Sequence, residues 1–562
     1  MKNYLLILLM MFPLLSHSAI SRKPSNNVLK IGMTQEFENM NPIIKQMMAT
    51  SYIYEMVGRT LVVLDEKGKW IPQLVKKYPT LENGLAKMYT EKGVKKIKVQ
   101  WEMKDLASWG DGTPVTGYDV EFSHKIALSK NISVGETEVY AQVEKIIVDK
   151  KNPKKFTFIN EKAKWSFNQL ATFQIVPKHL ESAVFDKFGK DKEGYSKNSI
   201  YSVNPTHPGL YNGPYKIQEI KLGSHVTLVP NPTFYGKAPK IQKIILKLIP
   251  NTGTLEANLR SGNIDMISIL GLTLDQAISL DKKLKKEKSS HRVNFKQGLI
   301  YEHIDLQLSN PILKDINVRK ALVHSINRQK LTQALFEGKQ TPALHNVAPI
   351  DTWFTKDPKK VVVYKYSRRK AKKLLDKAGW KMGKDGYRHK DGKKLGFQLM
   401  TTSGNKLREL VEVYLQEEWK KIGVEISIKN EPPRVYFGET VKKSKFPAMA
   451  MFAWISSPEN TPRSTFHSKS IPTDKNGYSG QNAPRWKNKS VDKLIDEIDV
   501  TFDSDKRKEL VHKVLYHYTN EVPVIPLYYR SDISVTPKNL VGYKLTGHQF
   551  SSGNHVEGWE LK

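Results

Sequence analysis

Residues 448–467 read AMAMFAWISSPENTPRSTFH, and the fold can be worked out from this stretch. Ala448 to Ile455 is an unbroken apolar run, too short to span a bilayer and suited to a buried strand. It stops at Ser456-Ser457-Pro458-Glu459-Asn460-Thr461-Pro462-Arg463. Two prolines there remove backbone donors, so the polar side chains sit on a loop. In open α/β sheets, ligands bind just beyond the carboxyl ends of buried strands. Trp454 is the last large aromatic before the exit and reads as a cleft wall, with Ser456, Ser457, Glu459 and Asn460 as candidate contacts. A plain core strand followed by an ordinary surface loop fits the same residues.

Around this stretch, 562 residues are too many for one core, and two to four domains are expected. An apolar content of 39% with 34 Gly and 29 Pro is that of a globular chain. The absence of cysteine excludes disulfides, thiol catalysis, cysteine-ligated zinc and a lipidated N-terminal Cys. Ninety basic against 56 acidic residues give a net charge of +34, and only 15 of the basic residues are arginine. Lysine spread through every region reads as a solvated positive surface more than as nucleic-acid readout, which leans on arginine. Attraction to an anionic partner or membrane surface is the functional alternative. Met1 to Ser18 has the form of a cleavable export signal: Lys2, an apolar stretch from Tyr4 to Leu15, then Ser16-His17-Ser18. The mature chain is therefore expected in the periplasm, released and unlipidated.

Along the chain, Val28 to Met33 reads as a first strand and Asn39 to Pro42 as the loop after it. Asp111-Gly112 marks a tight turn, and Thr116 with Asp119 marks a helix cap. Leu407, Leu410, Val411, Tyr414, Trp419 and Ile422 share one helical face, with Gly423 as the stop and Val424 to Ile428 as the following strand. Helix-then-strand order recurs at 254–269, 316–336 and 367–401, which argues for α/β lobes. There is no phosphate loop, nucleotide-binding glycine fingerprint, GxSxG elbow or HExxH. His512 and His517 are five apart, which separates them around a helix. No catalytic residue, metal or cofactor is indicated.

Seven motifs in order make the chain resemble the solute-binding proteins of peptide-type ABC importers. They are Trp109 to Ser123 (WGDGTPVTGYDVEFS), Asn212 to Tyr215 with Asn231-Pro232, and Leu255 to Asp265 (LEANLRSGNID). Asp315 to Arg328, Lys370 to Trp380 (KAKKLLDKAGW), Glu417 to Val424 and Asn520 to Leu527 (NEVPVIPL) complete the series. The resemblance implies an α/β, two-lobed periplasmic-binding-protein fold of the large peptide-binding type, with a small inserted domain. After a signal at 1–18, lobe I would comprise 19–60, 196–300 and 531–562, the insert 61–195, and lobe II 301–530. Chain crossings fall near Leu299–Asp305 and Leu527–Ser531.

The resemblance also implies function: a monomer that closes on a peptide or other small ligand and presents it to a membrane permease, with no nucleic acid involved. Modified peptides, opines, glycosides and metal chelates are the other cargoes of such proteins. A secreted enzyme and a polyanion-binding surface protein are the readings from other classes. By resemblance, the residues after Asn41-Pro42 lend backbone to an extended ligand, which maps onto Gln46, Met47 and Met48. Tyr301, His303 and Asp305 alternate near a crossing and are candidates to face the cleft. Arg530 is placed to meet a carboxylate. The family carries an Asp three residues after the cleft tryptophan, where it pairs with the ligand's amino terminus. Here that residue is Ser457, and Glu459 is the nearest carboxylate.

Overall fold

The computed structural model describes residues 27–562 apart from 38, 45, 46, 133, 135, 136, 433, 434, 477 and 479. The export segment and Gln46 lie outside the described residues. Among those described, eleven strands form one mixed sheet. Its central members are two long antiparallel strands, His291–Leu306 and Val524–Pro537. Met449–Trp454 pairs antiparallel with the first of these, Leu306 opposite Met449 and Tyr301 opposite Trp454. Beyond it come Gly396–Met400 and Glu425–Ile428, both parallel steps. On the other side, Met266–Ile267 joins the second long strand to Val28–Met33. Lys243–Leu248, His225–Pro230 and Tyr215–Lys221 follow. Each half has its own apolar core, so two lobes share a pair of through-strands. Their pairing is irregular between Gln297 and Tyr301 and between Glu302 and His303.

The local signals explain the elements. Thr116 and Asp119 close a reciprocal capping box on the helix Gly117–Ala127. The Lys406–Lys420 helix buries Val411, Leu415 and Trp419, although Leu410 is exposed, and Gly423 follows with φ of 81°. Asn212 Oδ1 accepts the Arg59 N–H at 2.7 Å, and Asn231 Nδ2 donates to Gly213 O at 2.9 Å. A Cβ on Gly213 would lie 2.5 Å from the Val57 carbonyl, so only glycine allows that approach. Arg319 donates to the carbonyls of Leu313, Lys314 and Glu521, tying its helix to the turn before the second through-strand.

A separate four-stranded antiparallel sheet runs Ala86–Glu91, Val94–Glu102, Lys155–Asn160, Val143–Val148. Its buried residues, including Val99, Trp101 and Phe158, are continuous with the core of the N-terminal half. Its far side reaches the other lobe. Trp165 packs on Trp353 with centroids 5.9 Å apart, and the Trp165 backbone N–H donates to Asp499 O at 3.0 Å. The turn at Gly68 also abuts Pro458, whose Cγ is 3.1 Å from where a Cβ would be. The segments around Gly68 and Trp165 are therefore in contact with residues 353–499 across the cleft. No helix among the described residues is long and apolar enough to cross a membrane.

Candidate ligand cleft

Two cavities meet between the lobes. The first, about 190 Å³, is lined by Trp70, Lys164, Trp165, Ser457, Glu459 and Asn460 among others. The second, about 460 Å³, is lined by Met48, Glu55, Tyr140, Gln174, Ile455 and Asn554 among others. Ala171, Thr172, Gln549 and Phe550 line both, which makes them chambers of one cleft. Their size suits a small ligand.

The loop that leaves Met449–Trp454 forms one wall, as its two prolines and polar run suggest. The strand's last aromatic falls just short of it. Trp454 is half-buried, edge-on to Phe452 at 5.2 Å, and lines neither chamber, while Ile455 lines the second. Ser457 lines the first chamber, its hydroxyl 3.4 Å from Gln549 Nε2, but Ser456 does not. Of the two methionines, both about 37–38% exposed, Met48 lines the second chamber.

Tyr301, His303 and Asp305 are brought together beneath the cleft and line neither chamber. Tyr301 stacks on His303 at 4.6 Å, and His303 Nε2 lies 3.3 Å from Asp305 Oδ1 with both side chains buried. Burial raises the Asp305 carboxyl above its ordinary range. Arg530 also stands apart from the chambers, 3.7 Å from Glu302, which takes the Arg408 Nε–H at 2.6 Å.

Glu459 is in the cleft wall with its carboxylate already engaged. Its φ of 54° turns the loop. Thr352 Oγ1 donates to Oε1 at 2.7 Å, and Arg507 lies 3.6 Å from Oε2. That guanidinium stacks 3.9 Å over the Trp165 ring. The Glu459 N–H donates at 3.0 Å to Asp351, whose carboxyl burial pushes up to about 6. Arg463 is likewise held, by Asp496 at 2.6 Å and Asp499 at 2.7 Å. Lys164 has no ion pair among the described residues.

The second chamber differs. The Ser551 N–H donates to Glu55 at 2.8 Å. Two neutral atoms of residues lining it, Asn554 Nδ2 and Gln174 Oε1, are buried without a hydrogen-bond partner. Sequence reasoning missed these residues, as it missed the 138–142 and 164–174 segments. No motif marks them, and they reach the cleft only through the fold.

The family of bacterial extracellular solute-binding proteins, family 5, matches residues 80–476, and the chain belongs to it. It is similar to the oligopeptide-binding protein AppA of Bacillus subtilis strain 168, 27% identical over 542 residues, 95% of this chain and 91% of the relative. Two solved structures share the fold. One is an oligopeptide-binding protein from Thermus thermophilus with a pentapeptide: TM-score 0.76, 27% identity, 95% and 97% of the two chains covered. The other is Bacillus subtilis AppA with a nonapeptide: TM-score 0.74, 25% identity, 95% and 99% covered. The chain is thus the substrate-binding component of an ABC import system and not an enzyme, and its family is extracellular.

Proposed function

We propose that the solute is a peptide, held extended between the lobes and passed to an ABC permease in the inner membrane. The observation that carries this is the larger chamber of about 460 Å³, whose lining residues Asn554 and Gln174 each keep an amide atom without a partner in the wall behind its surface. A peptide backbone offers the complementary carbonyl and N–H at every residue, and a buried polar atom left unpaired is costly. The peptide complexes of the two similar proteins support the same class of cargo. Lobe I is assigned to 19–60, 196–300 and 531–562 and lobe II to 301–530, with 61–195 as the insert, and closure bends the chain at the irregular pairing near Gln297–His303. The protein acts as a periplasmic monomer without nucleic acid, released after its signal at 1–18 is cut.

Ser457 and the engagement of Glu459 favour a particular form of this reading, in which the ligand is not anchored by a free amine. The chambers are tested by calorimetry with a pool of pentapeptides. Asn554→Leu and Gln174→Leu should each weaken binding by about 1–2 kcal/mol, roughly 5- to 30-fold. Unchanged affinity in both variants, or no binding by the parent protein, would overturn the assignment.

A further inference from the structure

The helix Arg368–Lys377 carries more charge than its fold requires. Arg368, Arg369, Lys370, Lys372, Lys373 and Lys377 are all exposed, and none makes an ion pair with a described residue. Its single acid, Asp376, is taken by Arg388 at 2.7 Å. Some lysines elsewhere are neutralised, Lys76 by Glu102 and Asp105, Lys96 by Glu91 and Glu144, Lys283 by Glu256, although most, like these, have no ion pair among the described residues. Here the cations crowd a helix of ten residues. Its length is about 15 Å at 1.5 Å per residue, roughly two Debye lengths at physiological salt.

Helix stability does not account for them. Arg368 and Arg369 occupy the first turn, where the helix macrodipole disfavours positive charge, and no acid stands there. The helix buries only Ala371 and Leu375. The basic face also extends past the helix. Lys320 stands on the neighbouring helix Ile316–His324, and Tyr366, just before the Arg368–Lys377 helix, donates its hydroxyl to Glu418 at 3.1 Å. Lys421 is itself paired with Glu418 at 2.6 Å. Lys359, Lys360 and Lys365 are exposed on the preceding segment, beside half-exposed Val363 and Tyr366.

We infer that this face is a docking surface for an anionic phospholipid bilayer. The occupant follows from the form of the charge. The helix surface is convex, mostly lysine, and lines neither chamber of the cleft. It offers no concave seat and little of the bidentate geometry that selects an individual phosphate or carboxylate. A broad, diffuse anionic plane is complementary to such a surface, and clustered cations gain from it additively. Exposed Tyr366 has the amphipathic ring favoured at a membrane interface. Such contact keeps a freely diffusing binding protein within reach of its permease and leaves the cleft open to ligand.

The test is sedimentation of the full chain with vesicles of phosphatidylglycerol in phosphatidylcholine, and with phosphatidylcholine alone. The parent protein should bind the anionic vesicles only and should release as salt is raised. The variant Arg369→Glu/Lys372→Glu/Lys373→Glu should lose at least about tenfold in affinity. Lys92→Glu/Lys150→Glu/Lys151→Glu makes the same change in net charge in the turns of the four-stranded sheet and should stay within about twofold of the parent. Equal losses in the two variants would overturn the inference in favour of undirected attraction by the net charge of +34. Failure of the parent to bind, or binding only to an acidic protein surface, would also overturn it. If the Glu variant fails to fold by circular dichroism, the corresponding triple Gln variant must show the same selective loss.

Discussion

The two chambers of the cleft treat polar groups in opposite ways. In the smaller, the charges at Glu459, Arg463 and Asp499 are engaged with one another or with Thr352, Asp496 and Arg507 behind the wall, and among the described residues the one lining side chain with an unpaired buried atom is Trp165, through its indole N–H. In the larger, the atoms without partners are neutral amides. Charge in the first chamber is therefore engaged within one half of the molecule, among residues 352–507, while the unpaired atoms of the second belong to neutral side chains of its wall. The difference has a physical basis. An uncompensated charge in a cleft costs more than an unpaired amide, and most of the charges here are paired; Lys164 and Glu138, which line the first chamber without an ion pair among the described residues, are the exceptions.

The largest effect that would break this comparison is at Trp165, which supports Arg507 and packs on Trp353. Trp165→Ala should lower the unfolding free energy by about 3 kcal/mol, as for other buried aromatics, in chemical denaturation. If stability is unchanged and small-angle scattering shows an expanded molecule, the contact belongs to the closing motion and not to a fixed scaffold.

Asp351, directly beneath Glu459, gives the next effect. Its folded pKa of about 6 lies above the ordinary carboxylate value because it is buried, with the Glu459 charge adding to the rise. Between pH 4 and 6 the folded state thus binds more protons than the unfolded one, and stability falls as pH rises through that window. A shift of this size corresponds to about 2–3 kcal/mol across the window. Urea midpoints measured from pH 4 to 7 should show the decline in the parent, and Asp351→Asn should flatten it. An unaltered slope in the variant would assign the pH dependence to other buried carboxyls, such as Asp532.

Much of this arrangement is legible in the sequence, and what is not has definite causes. The prolines at 458 and 462 end the strand locally, and the Thr116 cap, the Gly423 stop and the ordered motifs each act within a few residues. The face of Trp454 is not local. A strand buried on both sides shows no apolar–polar alternation, so parity alone cannot tell whether Trp454 or Ile455 looks into the cleft. The same ambiguity affects Tyr301, His303 and Asp305, whose polar groups suggest a ligand site but lie against one another inside the fold. Gln174, Gln549 and Asn554 have no local signature, because residues nearly 400 positions apart converge on one chamber.

The finest test of the comparison is at Ser457, where the resemblance predicts an amine-binding carboxylate and the chain has a hydroxyl. Since Thr352 and Arg507 hold the Glu459 carboxylate, Glu459→Gln should change peptide affinity by less than about twofold, or 0.4 kcal/mol. Ser457 is half-buried in the wall of the first chamber, so an Asp there would present a new charge to the chamber. Ser457→Asp should strengthen binding of free-amine peptides by about 1 kcal/mol, roughly fivefold, and leave N-acetylated peptides unaffected. The gain is small because Lys164, a cation of this chamber without an ion pair among the described residues, competes for the new carboxylate. Ser457→Asp combined with Lys164→Met should therefore recover more of it. A loss of affinity in Glu459→Gln comparable to that caused by acetylating the peptide would make Glu459 the amine anchor, and the two chambers would no longer divide charge from recognition.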